Sequence, residues 1–165
     1  MIDSRSDFNA PPSSVDSRLS TVDPDGGALK SLLESIKTED YFAITAYIPS
    51  TEENEAKLNR IRLTVRDAKK VATTVGFGPR FLHSTGQLHK GGPATGVFLQ
   101  ITDSPREDVP IPGKPYTFGQ VIAAQAAGDL AALKARGRRA MRVHLDDLVS
   151  GLERLNEAVK MVLSS

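Results

Sequence analysis

The order of apolar patterns along the chain predicts an α/β domain with a mostly parallel sheet of about four strands. Three observations lead there. Four short β-branched or aromatic runs recur along the 165 residues. Segments with helical spacing separate them. A polar, glycine-rich loop lies between the second and third runs, where an α/β protein holds its ligand.

Residues 1–27 are rich in Ser, Asp, Pro and Gly and poor in large apolar side chains. They cannot bury enough surface to offset their ordering entropy, so a disordered tail or flexible linker is expected there. The folded domain is expected over 28–165. Residues 28–37 place Leu29, Leu32, Leu33 and Ile36 at helical spacing. The run 41–48, stopped by Pro49, reads as a strand covered on both faces.

Residues 50–69 open with a capping-box pattern, Ser50 followed by Glu53, and carry an apolar stripe of Leu58, Ile61, Val65 and Ala68. The second strand is expected over 71–77 and the third over 96–102, with a short helix over 81–89 between them. Residues 103–114 hold three prolines and a glycine and form an irregular connection. Thr117 caps a helix through residue 127. Gly128 and Asp129 interrupt it, and 130–135 continue as a second short helix.

In 139–145, Met141, Val143 and Leu145 alternate with Arg142 and His144, the pattern of a half-buried strand. Asp146 or Asp147 then caps a last helix with a stripe of Leu148, Leu152, Leu155, Val159 and Val162. The basic run Lys134, Arg136, Arg138, Arg139 and Arg142 reads as a solvated helix end and strand edge, because no aromatic stacking motif accompanies it.

Composition narrows the function classes. A net charge of +1 argues neither for nor against a polyanionic partner. Because the basic run lacks a stacking motif and no long apolar run occurs, neither nucleic acid nor a membrane is expected. With no cysteine there is no disulfide framework, thiolate nucleophile or cysteine-bound metal. No apolar run approaches the roughly 20 residues that cross a bilayer, and the first residues lack a signal-peptide pattern. A soluble, cytoplasmic chain is the expectation. The histidines have neither HxxxH nor HExxH spacing, so no metal is expected, and no Walker or Rossmann fingerprint points to a nucleotide cofactor.

The loop 78–92 holds the chemistry. It gathers His83, His89, Arg80, Lys90, Ser84, Thr85, Gln87 and four glycines within fifteen residues. Cations, hydroxyls and free backbone amides suit an anionic ligand, and an imidazole can move a proton near neutral pH. His83 is the candidate acid–base group, and Arg80, Ser84, Thr85, Gln87 and Lys90 are candidate substrate contacts. His89 is expected on the solvent side of a short helix. No local carboxylate pair completes an acid–base site.

The segment GPRFLHSTGQLHKGGP (78–93), followed by GVFLQIT (96–102), resembles the C-terminal region of bacterial glucose-6-phosphate isomerases. The likeness is strongest to the bifunctional transaldolase/phosphoglucose isomerase fusions. DYFAITAYIP (40–49), PGKPYTFG (112–119) and RGRRAMRVHL (136–145) fit in the same order, so the resemblance spans roughly residues 28–160.

It implies a three-layer sugar isomerase (SIS)-type fold and interconversion of glucose 6-phosphate and fructose 6-phosphate through a cis-enediol, without metal or organic cofactor. His83 is then the ring-opening histidine. The family's upstream phosphate loop, catalytic glutamate segment and transaldolase part have no counterpart here. The implied role is therefore a domain that completes its site with an upstream isomerase polypeptide or second subunit. The alternative is a non-catalytic module that binds a sugar phosphate or pairs with another subunit.

Overall fold

The computed structural model describes residues 27–105 and 107–165. The expected tail lies outside the described residues except for Gly27, which opens the first helix. Four strands, β1 (Tyr41–Tyr47), β2 (Ala72–Phe77), β3 (Gly96–Asp103) and β4 (Arg139–Leu145), form one sheet in the order β2-β1-β3-β4. Every pairing is parallel, which makes the sheet wholly rather than mostly parallel.

Helices α1 (Gly27–Glu34), α2 (Glu52–Lys69) and α5 (Leu148–Ser164) cover one face. On the other face lie a short 3-10 turn (Arg80–His83), α3 (Thr85–Gly91) and α4 (Phe118–Ala135). The result is the predicted three-layer arrangement. Among the described residues no helix is long and apolar enough to cross a membrane.

Alternation along the strands separates two different interiors. Phe42, Ile44 and Ala46 of β1, Val97, Leu99 and Ile101 of β3, and Val143 and Leu145 of β4 point into the main core. There they meet Leu58, Ile61 and Val65 of α2 and Leu152, Leu155 and Val159 of α5. The opposite face is apolar only in its lower half, around Ala43, Phe98 and Leu133. Its upper half, toward the carboxyl ends, carries Thr45 and Tyr47 on β1, Gln100 and Thr102 on β3, and Arg142 and His144 on β4. The register aligns these in two rows, Thr45–Gln100–Arg142 and Tyr47–Thr102–His144.

Local caps shift several expected boundaries. The N-cap of α2 is Thr51, not Ser50: it is extended and its hydroxyl accepts from the Asn54 N–H at 3.2 Å. The apolar stripe of α2 ends at Val65, because Ala68 is exposed. Thr117 and Gln120 form a reciprocal capping box on α4. That helix runs unbroken through Gly128 and Asp129. Gly128 faces open space, Asp129 is held by Lys90, and one interior glycine costs a helix only about 1 kcal/mol relative to alanine.

The expected solvated basic run is also corrected. Arg138 donates to the carbonyls of His89, Lys90 and Gly92 at the end of α3. Arg139 grips Asp40 with both terminal nitrogens, at 2.8 and 2.7 Å. Arg142 donates to Gln100 at 2.6 Å. Three of the five cations thus tie elements together, and Lys134 and Arg136 stay exposed.

Candidate functional site

The loop singled out by sequence leaves the carboxyl end of β2, and its geometry follows from one glycine and one phenylalanine. Gly78 continues the strand edge by donating to the Ala46 carbonyl at 2.7 Å. A Cβ there would sit 2.5 Å from the Tyr47 ring, so the close approach requires glycine. Phe81 then turns inward and meets the Tyr47 ring edge-on at 5.7 Å. With Phe81 as anchor, Arg80 and His83 on the same 3-10 turn face solvent. Ser84, Thr85 and Gln87 are exposed as well.

The Ser84 hydroxyl donates to the Phe81 carbonyl at 3.3 Å. Among the described residues, no hydrogen bond or ion pair occupies the side chains of Arg80, His83, Thr85 or Gln87. Five of the six residues proposed from sequence are therefore exposed on this one loop. Its stock is a guanidinium, an imidazole, two hydroxyls and an amide.

Lys90 differs. Its ammonium lies 2.6 Å from Asp129 of α4, whose side chain is almost wholly buried. It is a strut between α3 and α4. His89 contradicts the expectation of a solvent-side residue: it is 5% exposed. Its ring stacks on Tyr41, its Nδ1 lies 3.0 Å from the Tyr41 hydroxyl, and the Phe98 ring meets it edge-on at 5.0 Å. Burial pulls its pKa below the usual histidine value, with Asp129 opposing and Lys90 assisting. His89 thus serves packing, and the Arg138 contacts to the carbonyls at and beyond it fix the far end of the loop.

The sheet topology marks a second region. From β1 the chain crosses to β2 on one side, then returns to β3 on the other. The switch point therefore falls between the carboxyl ends of β1 and β3, where open α/β sheets bind ligands. The polar rows of the upper sheet face converge there. His144 contacts the Thr102 hydroxyl through Nδ1 at 2.9 Å and the Ser104 hydroxyl through Nε2 at 3.1 Å. Burial raises the Asp103 carboxyl above the ordinary aspartate range, against a smaller lowering by its own backbone N–H and by His144.

Deeper in, Gln100 bridges Arg142 and the Ala126 carbonyl. Next to this bridge, Thr45 Oγ1, Tyr47 OH, Asp129 Oδ2 and Arg142 Nη2 are buried without hydrogen-bond partners. Tyr47 lies close enough to Asp129 and Arg142 to feel both charges. Burial first, and then the Asp129 carboxylate, push the Tyr47 phenol far above its ordinary value, against a smaller pull from Arg142. The phenol is therefore neutral throughout the physiological range.

Tyr47→Phe removes a buried hydroxyl that lies near the Asp129 carboxylate without meeting it in full hydrogen-bond geometry. It is expected to leave stability unchanged or raise it by about 1 kcal/mol. The folded phenol keeps its proton where the unfolded one, with a pKa of about 10, has lost it. Its contribution to stability is thus fully present below pH ~10 and lost as pH rises toward the folded value. Urea midpoints of wild type and variant should therefore move apart at alkaline pH, wild type falling below the variant. A loss above about 1 kcal/mol at neutral pH would show that the hydroxyl is satisfied in solution.

Sequence reading missed Tyr47, Gln100, Asp129 and the Thr102–Ser104–His144 group as site residues. A faint signal existed for two strands: Thr45 and Tyr47, and Gln100 and Thr102, are polar-capable residues two apart within otherwise apolar runs. Asp129 had none, because its partner Lys90 is 39 positions away and only the packing of α3 on α4 joins them.

The chain matches no family model and no curated protein. Among solved structures it is similar to the hypothetical protein TT0462 from Thermus thermophilus, with a TM-score of 0.69 and 18% identity over 82% of this chain. That likeness shows the fold. The chain spans 37% of the length of the Thermus protein.

Proposed function

We propose that this chain is the C-terminal domain of a glucose-6-phosphate isomerase, supplying one wall of a sugar-phosphate site that another polypeptide completes. The observation that supports the reading best is the exposed, partner-free set Arg80, His83, Thr85 and Gln87 on one loop at the carboxyl end of a parallel strand. This is the segment whose sequence resembles the histidine region of the isomerases. Arg80 and the hydroxyls suit the anionic and hydroxylated parts of a hexose phosphate. The His83 imidazole has the chemistry to pass a proton to the ring oxygen as the pyranose opens.

Under this reading the remaining step, proton movement between C1 and C2 through a cis-enediol, falls to a glutamate of the completing polypeptide. No residue of the described loop supplies a carboxylate. Lys90 acts by holding α3 against α4 rather than by touching substrate.

The test is isomerase turnover by the chain co-expressed with the polypeptide encoded upstream of it. His83→Ala is expected to lower kcat of the reconstituted enzyme by about 10²- to 10⁴-fold, the usual contribution of a positioned acid–base group. Unchanged turnover would remove His83 from the mechanism. NMR shifts with fructose 6-phosphate that are confined to 80–90, without turnover in any combination, would instead favour the non-catalytic binding module.

A further inference from the structure

We infer that the polar rows of the sheet beneath α4 form a binding site for a small hydroxycarboxylate, its carboxylate held by Arg142 and Tyr47 and its hydroxyl by Asp129. Nothing in this depends on the isomerase reading. Four buried polar atoms, Thr45 Oγ1, Tyr47 OH, Asp129 Oδ2 and Arg142 Nη2, meet no partner in hydrogen-bond geometry. Thr45, Tyr47 and Asp129 are 1%, 3% and 4% exposed. Thr45 and Tyr47 share one face of β1, and Tyr47 feels the charges of both Asp129 and Arg142. An unpaired buried polar group costs stability, and folded proteins leave few of them. Four in one patch, contributed by β1, β4 and α4, mark a place shaped for a ligand.

Arg142 fixes the sign of that ligand. Its guanidinium is half-buried and donates at 2.6 Å to the neutral amide of Gln100, and among the described residues no carboxylate is ion-paired with it. Burial pulls its pKa down, against a smaller opposing effect of Tyr47. A cation withdrawn from water without a counter-charge is costly, and an anionic oxygen on Nη2 removes that cost. Asp129 is already matched by Lys90 at 2.6 Å, so Arg142 is the one uncompensated charge of the patch. That balance selects a monoanion. A phosphate monoester carries about −1.5 to −2 charges near neutral pH and would crowd the Asp129 carboxylate.

The hydrogen-bonding stock gives the rest of the ligand. Arg142 Nη2 and the hydroxyls of Tyr47 and Thr45 are donors, which suits the two oxygens of a carboxylate. The one acceptor, Asp129 Oδ2, calls for a hydroxyl on the ligand. A small hydroxycarboxylate satisfies all four atoms. The rows open along the edge strand β4, where Arg142 and His144 are half-buried and His144 Nε2 meets the exposed Ser104 hydroxyl. Cover by α4 ends at the same level. Ala126 is 1% exposed, whereas Ile122, one turn nearer the amino end of the helix, is 38% exposed. A molecule of a few heavy atoms entering from the strand ends passes His144 and then reaches Arg142.

Heteronuclear NMR of the full chain, titrated with sodium glycolate at constant ionic strength and neutral pH, tests this. Saturable shifts are expected in the Arg142 side-chain Nε–H and in the backbone amides of Thr45, Tyr47 and Ala126. Acetate, which lacks the hydroxyl, should bind several-fold more weakly, and inorganic phosphate should give no saturable shift at these signals. Tyr47→Phe, which keeps the fold, should weaken glycolate binding several-fold, and Arg142→Met should abolish it. Shifts that grow linearly with glycolate, or that sodium chloride reproduces, would overturn the site. Unchanged glycolate affinity in Tyr47→Phe would overturn it too, as would phosphate binding as tightly as glycolate. Equal affinity for acetate would overturn the assignment of a ligand hydroxyl to Asp129.

Discussion

Replacing Arg139 with alanine is expected to destabilise the domain by about 3 kcal/mol, the lower part of the range for breaking a buried ion pair from one side. The guanidinium reaches the Ser35 carbonyl after α1 and both oxygens of Asp40, and Asp40 also accepts from the Lys37 N–H at 2.6 Å. One side chain from the edge strand β4 thus closes the turn that leads into the central strand β1. Asp40 is buried, so truncating Arg139 leaves a carboxylate without its counter-charge. The Arg139 side chain is 28% exposed, so water reaches the pair and keeps the cost at the lower end of that range.

The same pair sets an acid limit. The Arg139 hydrogen bonds first, and then the Lys37 N–H, hold the Asp40 carboxyl below its ordinary range, against the opposing effect of burial. A depressed folded pKa means that its contribution is fully present above the unfolded value of about 3.9 and lost as pH falls through the lower folded one. Denaturant titrations of wild type and Arg139→Ala should therefore differ most above pH ~4 and approach each other in stronger acid. A constant difference across that window would detach the pair from the acid response.

Phe98→Ala is expected to cost about 3–5 kcal/mol, the usual range for a buried phenylalanine. Phe98 is fully buried on the sheet face that carries the polar rows, packed with Ala43 of β1 and Leu133 of α4. Its ring stands edge-on to both Tyr41, at 5.8 Å, and His89, at 5.0 Å. Removing it hollows out the apolar support beneath α3. The effect should then extend beyond global stability: NMR signals of His89 and of the 80–90 loop should broaden or shift. Conversion to leucine should recover most of the stability while leaving the His89 environment changed. A urea midpoint within about 1 kcal/mol of wild type for the alanine variant would mean that α3 and α4 close over the gap.

These two sites show why the fold is legible in the sequence and the site only partly so. The strands announce themselves because each is a run of β-branched and aromatic residues bounded by turn signals, and Thr117 and Asp147 cap α4 and α5 through local side-chain contacts. Such signals act within a few residues, so they survive in a linear reading. The break expected at Gly128–Asp129 does not occur because the cost of glycine is local, whereas the Lys90 contact that offsets it comes from another element. His89 departs from expectation for a related reason. A seven-residue helix has too few turns to declare which face is covered, and the covering rings come from β1 and β3.

The α/β class, the four strands, helices α2 and α5 and the gathering of polar chemistry in the loop from Gly78 to Gly92 are all legible in the linear order of residues. Periodicity and composition encode these directly. Which of that loop's residues are open to a ligand and which are struts follows from packing, because exposure depends on what lies above them. Packing also brings Tyr47, Gln100, Asp129 and Arg142 together beneath α4. Parallel pairing in the order β2-β1-β3-β4 juxtaposes residues from strands that are far apart in the chain. No spacing along the chain reports a contact of that kind.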